Sequence, residues 1–257
     1  MKIKTSSRAQ ARRGPAPAAD PCGLSPLPPA ARYLLLMGLL LFVFSVQAVA
    51  AEEPSRQILN AWLEKQSQTK SWSADVLQIR QLKSLVRPLE TRGRVWLAPP
   101  NRFRWELGDP AHTMAIQTGE ELVIVYPRLK QMERYPSKDI TDPSWRQVMA
   151  LLEVGFPSDS QSFYARYELV SITQSDKTWH FEVKPAAVEA RKLLNRIRIE
   201  VFSDNLALSA TELVFADDST MRNEFSRHQL NSEVDETLFE VPMDEGYRVV
   251  YPLKQKK

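Results

Sequence analysis

The sequence predicts a mainly β, antiparallel fold, with two or three helices set against about 11 strands, and three observations carry that expectation. From Trp72 onward, apolar and polar residues alternate with period two in run after run. The runs are separated by connections so short that only antiparallel neighbours fit. Only two long stretches show the wider period of an amphipathic helix. A meander of that many strands must curl strongly or close, because open twisted sheets seldom stay flat at such a width.

The first 50 residues are read apart from the rest. Arg8, Arg12, Arg13 and Arg32 precede an uninterrupted apolar run from Tyr33 to Val46, and Ala48-Val49-Ala50 supplies small residues for a cleavage site. Residues 1–50 are therefore expected to be a cleaved signal peptide with a long n-region, and residues 51–257 the working domain. The run is shorter than the roughly 20 residues a membrane span needs. Removing Lys2, Lys4, Arg8, Arg12, Arg13, Arg32 and Asp20 takes the formal charge from +3 to −2. The remaining domain has no cationic excess with which to neutralise phosphates, which argues against nucleic acid as a partner. Cys22, the single cysteine, lies upstream of the apolar run and leaves the mature domain without a thiol.

Element by element, Ile58, Leu59, Trp62 and Leu63 make one apolar stripe on an opening helix. Trp72, Ala74 and Val76 then share one face of a strand, with Leu77 and Ile79 on the other. In the next strand Leu89, Thr91, Gly93, Val95 and Leu97 oppose Glu90, Arg92, Arg94 and Trp96, and Pro99-Pro100-Asn101 ends it. Phe103, Trp105 and Leu107 alternate with Arg102, Arg104 and Glu106. Further strands are expected at 113–118, 121–126 and 130–135. A second helix follows, with Asp142 as N-cap, Pro143 at its first position and Gly155 past its end. Its apolar face holds Trp145, Val148, Met149, Leu151 and Leu152. After a polar loop from Pro157 to Ser162, strands are expected at 164–173, 178–184, 197–203, 206–216 and 220–230, with 185–194 open between a loop and a short helix.

Catalytic signatures are missing. Neither Gly-x-Ser-x-Gly nor His-Glu-x-x-His occurs, and His112, His180 and His228 stand singly without a cysteine to complete a metal site. Acidic pairs such as Glu120-Glu121 and Asp217-Asp218 fall at turns, where carboxylates bond the local backbone. No catalytic residue, metal or cofactor is expected. All six tryptophans lie in the mature domain, several on one side of their strands, as either plain core or the lining of a cavity.

The run Gly93-Arg94-Val95-Trp96-Leu97-Ala98-Pro99-Pro100-Asn101-Arg102-Phe103-Arg104-Trp105 resembles the outer-membrane lipoprotein carrier family, the LolA type. In that family a Gly-x-hydrophobic-Trp strand turns at Pro-Asn into a Phe-x-Trp strand. The resemblance extends to the opening helix, the Trp72 strand, the Gly119 hairpin leading to Tyr126-Pro127, and Asn231 to Pro242 with Phe239; between Asp142 and Lys192 it is one of pattern. It implies an unclosed antiparallel half-barrel whose helical lid, including Pro143 to Val154, covers an apolar cavity. It also implies a periplasmic monomer in a Gram-negative bacterium. Such a protein takes acylated lipoproteins or other lipids from an inner-membrane ABC-type releasing complex to an outer-membrane acceptor. Phe103 carries over from the motif as a lipid-binding residue. Trp105, on its strand face, and the neighbours Val95 and Leu97 join it, as do Trp145, Val148, Met149 and Leu152 from the lid. The inward or outward direction of Trp96 stays open. One departure is Pro99, which stands where the family commonly has a basic residue thought to hold the lid closed. Alternation places Arg102 and Arg104 on the face opposite Phe103 and Trp105. That departure keeps a specialised paralogue with another lipid cargo, or a periplasmic lipid or lipoprotein sensor, as alternatives.

Overall fold

A computed structural model describes residues 52–100, 102–136, 156–157, 159–241 and 246–252. The chain divides into units 1–49 and 50–257, and every described residue belongs to the second. The expected signal peptide and the expected second helix, with Trp145, Val148, Met149 and Leu152, lie outside the described residues.

Helix α1 (Glu52–Ser67) opens the domain. Strands β1 (Trp72–Gln81), β2 (Leu89–Ala98), β3 (Arg102–Gly108), β4 (Ala111–Gln117), β5 (Glu121–Tyr126) and β6 (Gln131–Pro136) follow as one antiparallel meander. A second meander comprises β7 (Tyr167–Ser175), β8 (Thr178–Pro185), β9 (Leu194–Phe202), β10 (Leu208–Phe215) and β11 (Thr220–Leu230). The two are joined where β11 pairs with β1 through most of its length, Trp72 opposite Leu230 and Val76 opposite Phe225. A short strand, β12 (Arg248–Val250), adds to the edge at β6. One sheet results, in the order β12-β6-β5-β4-β3-β2-β1-β11-β10-β9-β8-β7. First and last long strands are thus neighbours, and the sheet stays open between its two edge strands, β12 and β7. It is an unclosed half-barrel.

Two details differ from the sequence expectation, and one segment left open takes the helical alternative. The stretch read as a polar loop running into a strand at Tyr164 is helix α2 (Ser160–Arg166), because the Asp159 carboxylate accepts from the Ser162 N–H at 2.7 Å and caps it. Phe163, one turn in, is then driven into the core at 1 % exposure. The open segment 185–194 contains the short helix α3 (Val188–Arg191). Strand β12 is a parallel partner to β6 that no local pattern announced.

The concave face holds the main core. Leu59, Trp62 and Leu63 of α1 are wholly buried against Phe163, Phe181, Ile197, Ile199 and Val201. Each such side chain contributes about 1.5–3 kcal/mol of burial, which explains why a helix with few apolar residues is fixed here. Trp62 meets Phe163 edge-on at 6.2 Å and Phe181 at 5.8 Å. A polar row crosses this face: Gln78 Nε2 donates to Asn223 Oδ1 at 3.1 Å, and Asn223 Nδ2 donates to Thr211 Oγ1 at 3.3 Å. The convex face is built in two ways. Over β8 to β11 it is a lattice of ion pairs, Arg198 reaching Glu182 and Glu212 and Arg222 gripping Glu200 through both terminal nitrogens at 2.7 and 2.8 Å. Over β4 to β6 it is apolar, with Met114, Val123, Val125 and Met132 covered by Val241 and Tyr247 of the C-terminal segment.

Candidate functional site

The site begins with Gly93. A methyl group there would lie 1.9 Å from the Glu106 carbonyl oxygen, so only glycine lets β3 approach β2 this closely. Along the hairpin that follows, pairing sets Val95 opposite Trp105 and Leu97 opposite Phe103, all four on the concave face. The next strand continues the face with Ala115 opposite Trp105 and Gln117 opposite Phe103. Trp96 lies on the other face, where the Arg94 guanidinium sits 5.1 Å from its ring centroid.

Val95, Leu97, Phe103, Trp105 and Gln117 wall a cavity of about 390 Å³. Val95 is buried at 2 % exposure, whereas Leu97, Phe103 and Trp105 are only half-buried. Phe156 and Pro157 close one side, and Gln66, Ser67 and Thr69 contribute polar groups. A wall of rings separates the cavity from the filled part of the core: Phe156 lies 4.6 Å from Trp72 and 6.5 Å from Phe225, and Trp105 lies 6.1 Å from Phe225. Beyond Phe103 the apolar surface runs on through Ala115, Leu122, Ile124 and Tyr135 toward β6. Burial, with the hydrogen bond to Glu133 adding to it, pushes the Tyr135 phenol well above its ordinary pKa, so it stays neutral.

Of the eight residues singled out from the sequence, the structure gathers Val95, Leu97, Phe103 and Trp105 around one space, while the other four lie outside the described residues. Sequence reasoning missed Gln117, Thr69 and Phe156, which come from three separate segments brought together only by the tertiary fold. Arg104 points away, as alternation required, whereas Arg102 borders the cavity. Arg102 pairs with Glu236 and lies 5.4 Å over the Phe239 ring, and Arg104 Nη1 donates to the Leu238 carbonyl at 2.9 Å. Both cations are engaged by the C-terminal segment.

His228 is not an ordinary satisfied histidine. Its ring lies tilted 5.8 Å from that of Trp72, no hydrogen bond of good geometry reaches either nitrogen among the described residues, and burial holds its pKa below the usual value against the weaker opposing influence of a marginal contact with the Phe225 backbone. Among the described residues no three His, Cys, Asp or Glu side chains gather where a metal could sit, and no helix is long and apolar enough to cross a membrane.

A half-open sheet with a partly exposed apolar cavity on its inner face defines the class of open half-barrels. The model of the outer membrane lipoprotein carrier protein LolA matches residues 67–242, and the chain belongs to that family. No curated protein matches the chain. Among solved structures, it is similar to an uncharacterized conserved protein from Thermus thermophilus, at 12% identity over 77% of this chain and 99% of that one, with a TM-score of 0.46. A LolA superfamily protein from Nitrosomonas europaea matches at 11% identity over 70% and 96%, with a TM-score of 0.37. LprF from Mycobacterium bovis matches at 12% identity over 71% and 95%, also with a TM-score of 0.37.

Proposed function

We propose that this protein is a periplasmic carrier that takes up the acyl chains of lipoproteins in the β2–β4 cavity and ferries them from the inner to the outer membrane. It acts by binding alone, with no covalent step. The observation that carries this reading is the half-buried apolar set Leu97, Phe103 and Trp105 around a cavity, in a chain of the lipoprotein carrier family. Each acyl methylene removed from water gains about 0.8 kcal/mol, so a soluble carrier must offer comparable apolar contact in transit. On this reading an inner-membrane ABC-type complex loads the carrier and an outer-membrane acceptor unloads it.

Pro99 supports a second reading, a specialised paralogue for another lipid or lipid-linked product, since neither Arg102 nor Arg104 is free to take over the role of the family's basic residue. Detergent-free isolation from periplasm followed by native mass spectrometry distinguishes the two by the mass of what is bound. An acylated protein, lost in Phe103→Glu, is the expected result, and a free lipid in its place selects the paralogue. An empty protein that also rejects added acylated peptide overturns both.

A further inference from the structure

The hairpin that joins β1 to β2 projects from the sheet with apolar side chains in water. Pairing between β2 and β3 begins only at Gly93, so Leu89 to Arg92 run on without a β3 partner. At the rise of a strand, four residues carry the hairpin about 13 Å past that pair. Residues 83–90 are exposed without a break, Leu85, Val86 and Leu89 among them, Val86 at 100 %. The tip is nevertheless ordered. The Leu85 N–H donates to the Leu82 carbonyl at 3.0 Å, Gln81 Nε2 donates to the Leu85 carbonyl at 3.3 Å, and Lys83 pairs with Asp218 at 2.9 Å.

One exposed aliphatic residue is ordinary on a protein surface. Three on a single projecting tip, held by hydrogen bonds, point to something that covers them. The same end of the sheet repeats the arrangement. Because the meander is antiparallel, the β5–β6 turn lies at the end where β1 passes into β2. There Leu129, 71 % exposed, stands between Arg128 and Lys130. Among the described residues no ion pair or side-chain hydrogen bond engages Arg87, Arg128 or Lys130. The nearby acids are Glu90, Asp109, Asp217 and Asp218, of which Asp218 is taken by Lys83 and Asp217 by Ser219. A protein partner is usually met by a contiguous patch with aromatic anchors. These tips instead set aliphatic residues singly beside cations on separate turns. That pattern fits a surface that is anionic at its face and apolar just beneath.

We infer that this end of the sheet docks on an anionic phospholipid bilayer. Leu85, Val86 and Leu129 enter the boundary between headgroups and acyl chains, and Arg87, Arg128 and Lys130 lie among the phosphates. A few aliphatic side chains with a small basic patch give reversible adsorption, not a permanent anchor. The cavity takes no part, since Thr69, Pro99 and Pro100 of its lining lie at the opposite ends of β1 and β2. The docking surface is therefore independent of the carrier reading.

The test uses the protein recovered without detergent from expressing cells, and vesicles of phosphatidylcholine alone or mixed with phosphatidylglycerol. Flotation at low and high salt measures binding. Anionic vesicles are expected to hold the protein about tenfold better than neutral ones, with the advantage shrinking at high salt. Val86→Asp, at a position outside the core, is expected to lower binding about tenfold, and Arg87→Glu at least about fivefold. In a Cys22→Ser background, an environment-sensitive dye on Val86→Cys should shift to the blue on anionic vesicles. The same dye on Ser175→Cys, at the far end of the sheet, should not. Displacement of a fatty-acid probe in solution should be equal in parent and Val86→Asp, which separates this surface from the cavity. Equal flotation of parent and Val86→Asp overturns the inference, as does a dye at position 86 that stays in water while the protein floats. Neutral vesicles that bind as well as anionic ones overturn it too. No flotation with either vesicle overturns it in favour of a protein partner at the tip. A protein that floats as expected but binds no fatty-acid probe upholds this inference while the carrier reading fails.

Discussion

The two halves of the concave face are made of the same kinds of residue and end in opposite states. Over β8 to β11 the apolar residues are sealed: Phe181, Val183, Ile197, Ile199 and Val201 are all at 0 % exposure, because α1 and α2 lay Leu59, Trp62, Leu63 and Phe163 on top of them. Over β2 to β5 an equally apolar row, Leu97, Phe103, Trp105, Ala115 and Ile124, stays half-buried. The difference lies in what each half has been given as a cover. On the proposed carrier reading, a sheet half that must only be stable is packed to completion by its own helices, and one that must receive a guest keeps contacts unspent. The ring wall of Trp72, Phe156 and Phe225 marks the boundary between them.

Truncating one side chain in each half challenges this contrast most forcefully. Trp62→Ala should lower unfolding free energy by about 3–5 kcal/mol, as large-to-small changes in sealed cores do. Leu97→Ala should cost less than about 2 kcal/mol, since part of that side chain is already in water, while weakening acyl binding substantially. Urea denaturation and probe displacement on both variants measure the two effects, and equal stability losses would erase the distinction between the halves.

A smaller effect probes the interior of the sealed half. Thr211→Val keeps the shape but removes the acceptor of Asn223 Nδ2 inside the polar row, and should cost about 1–2 kcal/mol in the same denaturation experiment. No change would mean that the row is not maintained in solution.

The least effect of the three concerns the boundary. His228 is held neutral by burial, with its folded pKa below the unfolded value of about 6.5. Above that value both states are neutral and pH does nothing. As pH falls below it, the unfolded chain takes up the proton first and stability declines until the folded pKa is passed. Denaturation midpoints between about pH 7 and pH 5 should therefore slope downward in the parent protein and flatten in His228→Phe. The carboxylates behave otherwise: Glu200, held below its ordinary pKa by the Arg222 hydrogen bonds, loses its contribution only at more acidic pH.

Much of this was legible in the sequence, for identifiable reasons. Period-two alternation is a local property, so it located most strands and, along the single hairpin of β2 and β3, put Val95, Leu97, Phe103 and Trp105 on one side. The stripe of Leu59, Trp62 and Leu63 likewise defined its helix before any packing was known. What the sequence could not show depends on distant pairing. Nothing local says that β11 returns to β1, that the Arg248 strand joins β6 in parallel, or that the sheet then stays open between that strand and β7. Gln117 was invisible for the same reason, because its meaning comes from the register with Phe103. Helix α2 was hidden behind Ser160, Gln161 and Ser162, residues that suit turns as well as first helical turns, although Asp159 three residues before Ser162 was a capping signal available to be read.

Whether the β2–β5 half receives acyl chains while the β8–β11 half does not is decided by photo-crosslinking. The protein is loaded with a fatty acid bearing a photoreactive group along its chain, irradiated, digested, and the adducts are located by mass spectrometry. Adducts concentrated on the segment from Gly93 to Trp105, and suppressed by Phe103→Glu, are the predicted result. Adducts on Trp179 to Val201, or none above those of an unrelated soluble protein, would contradict it.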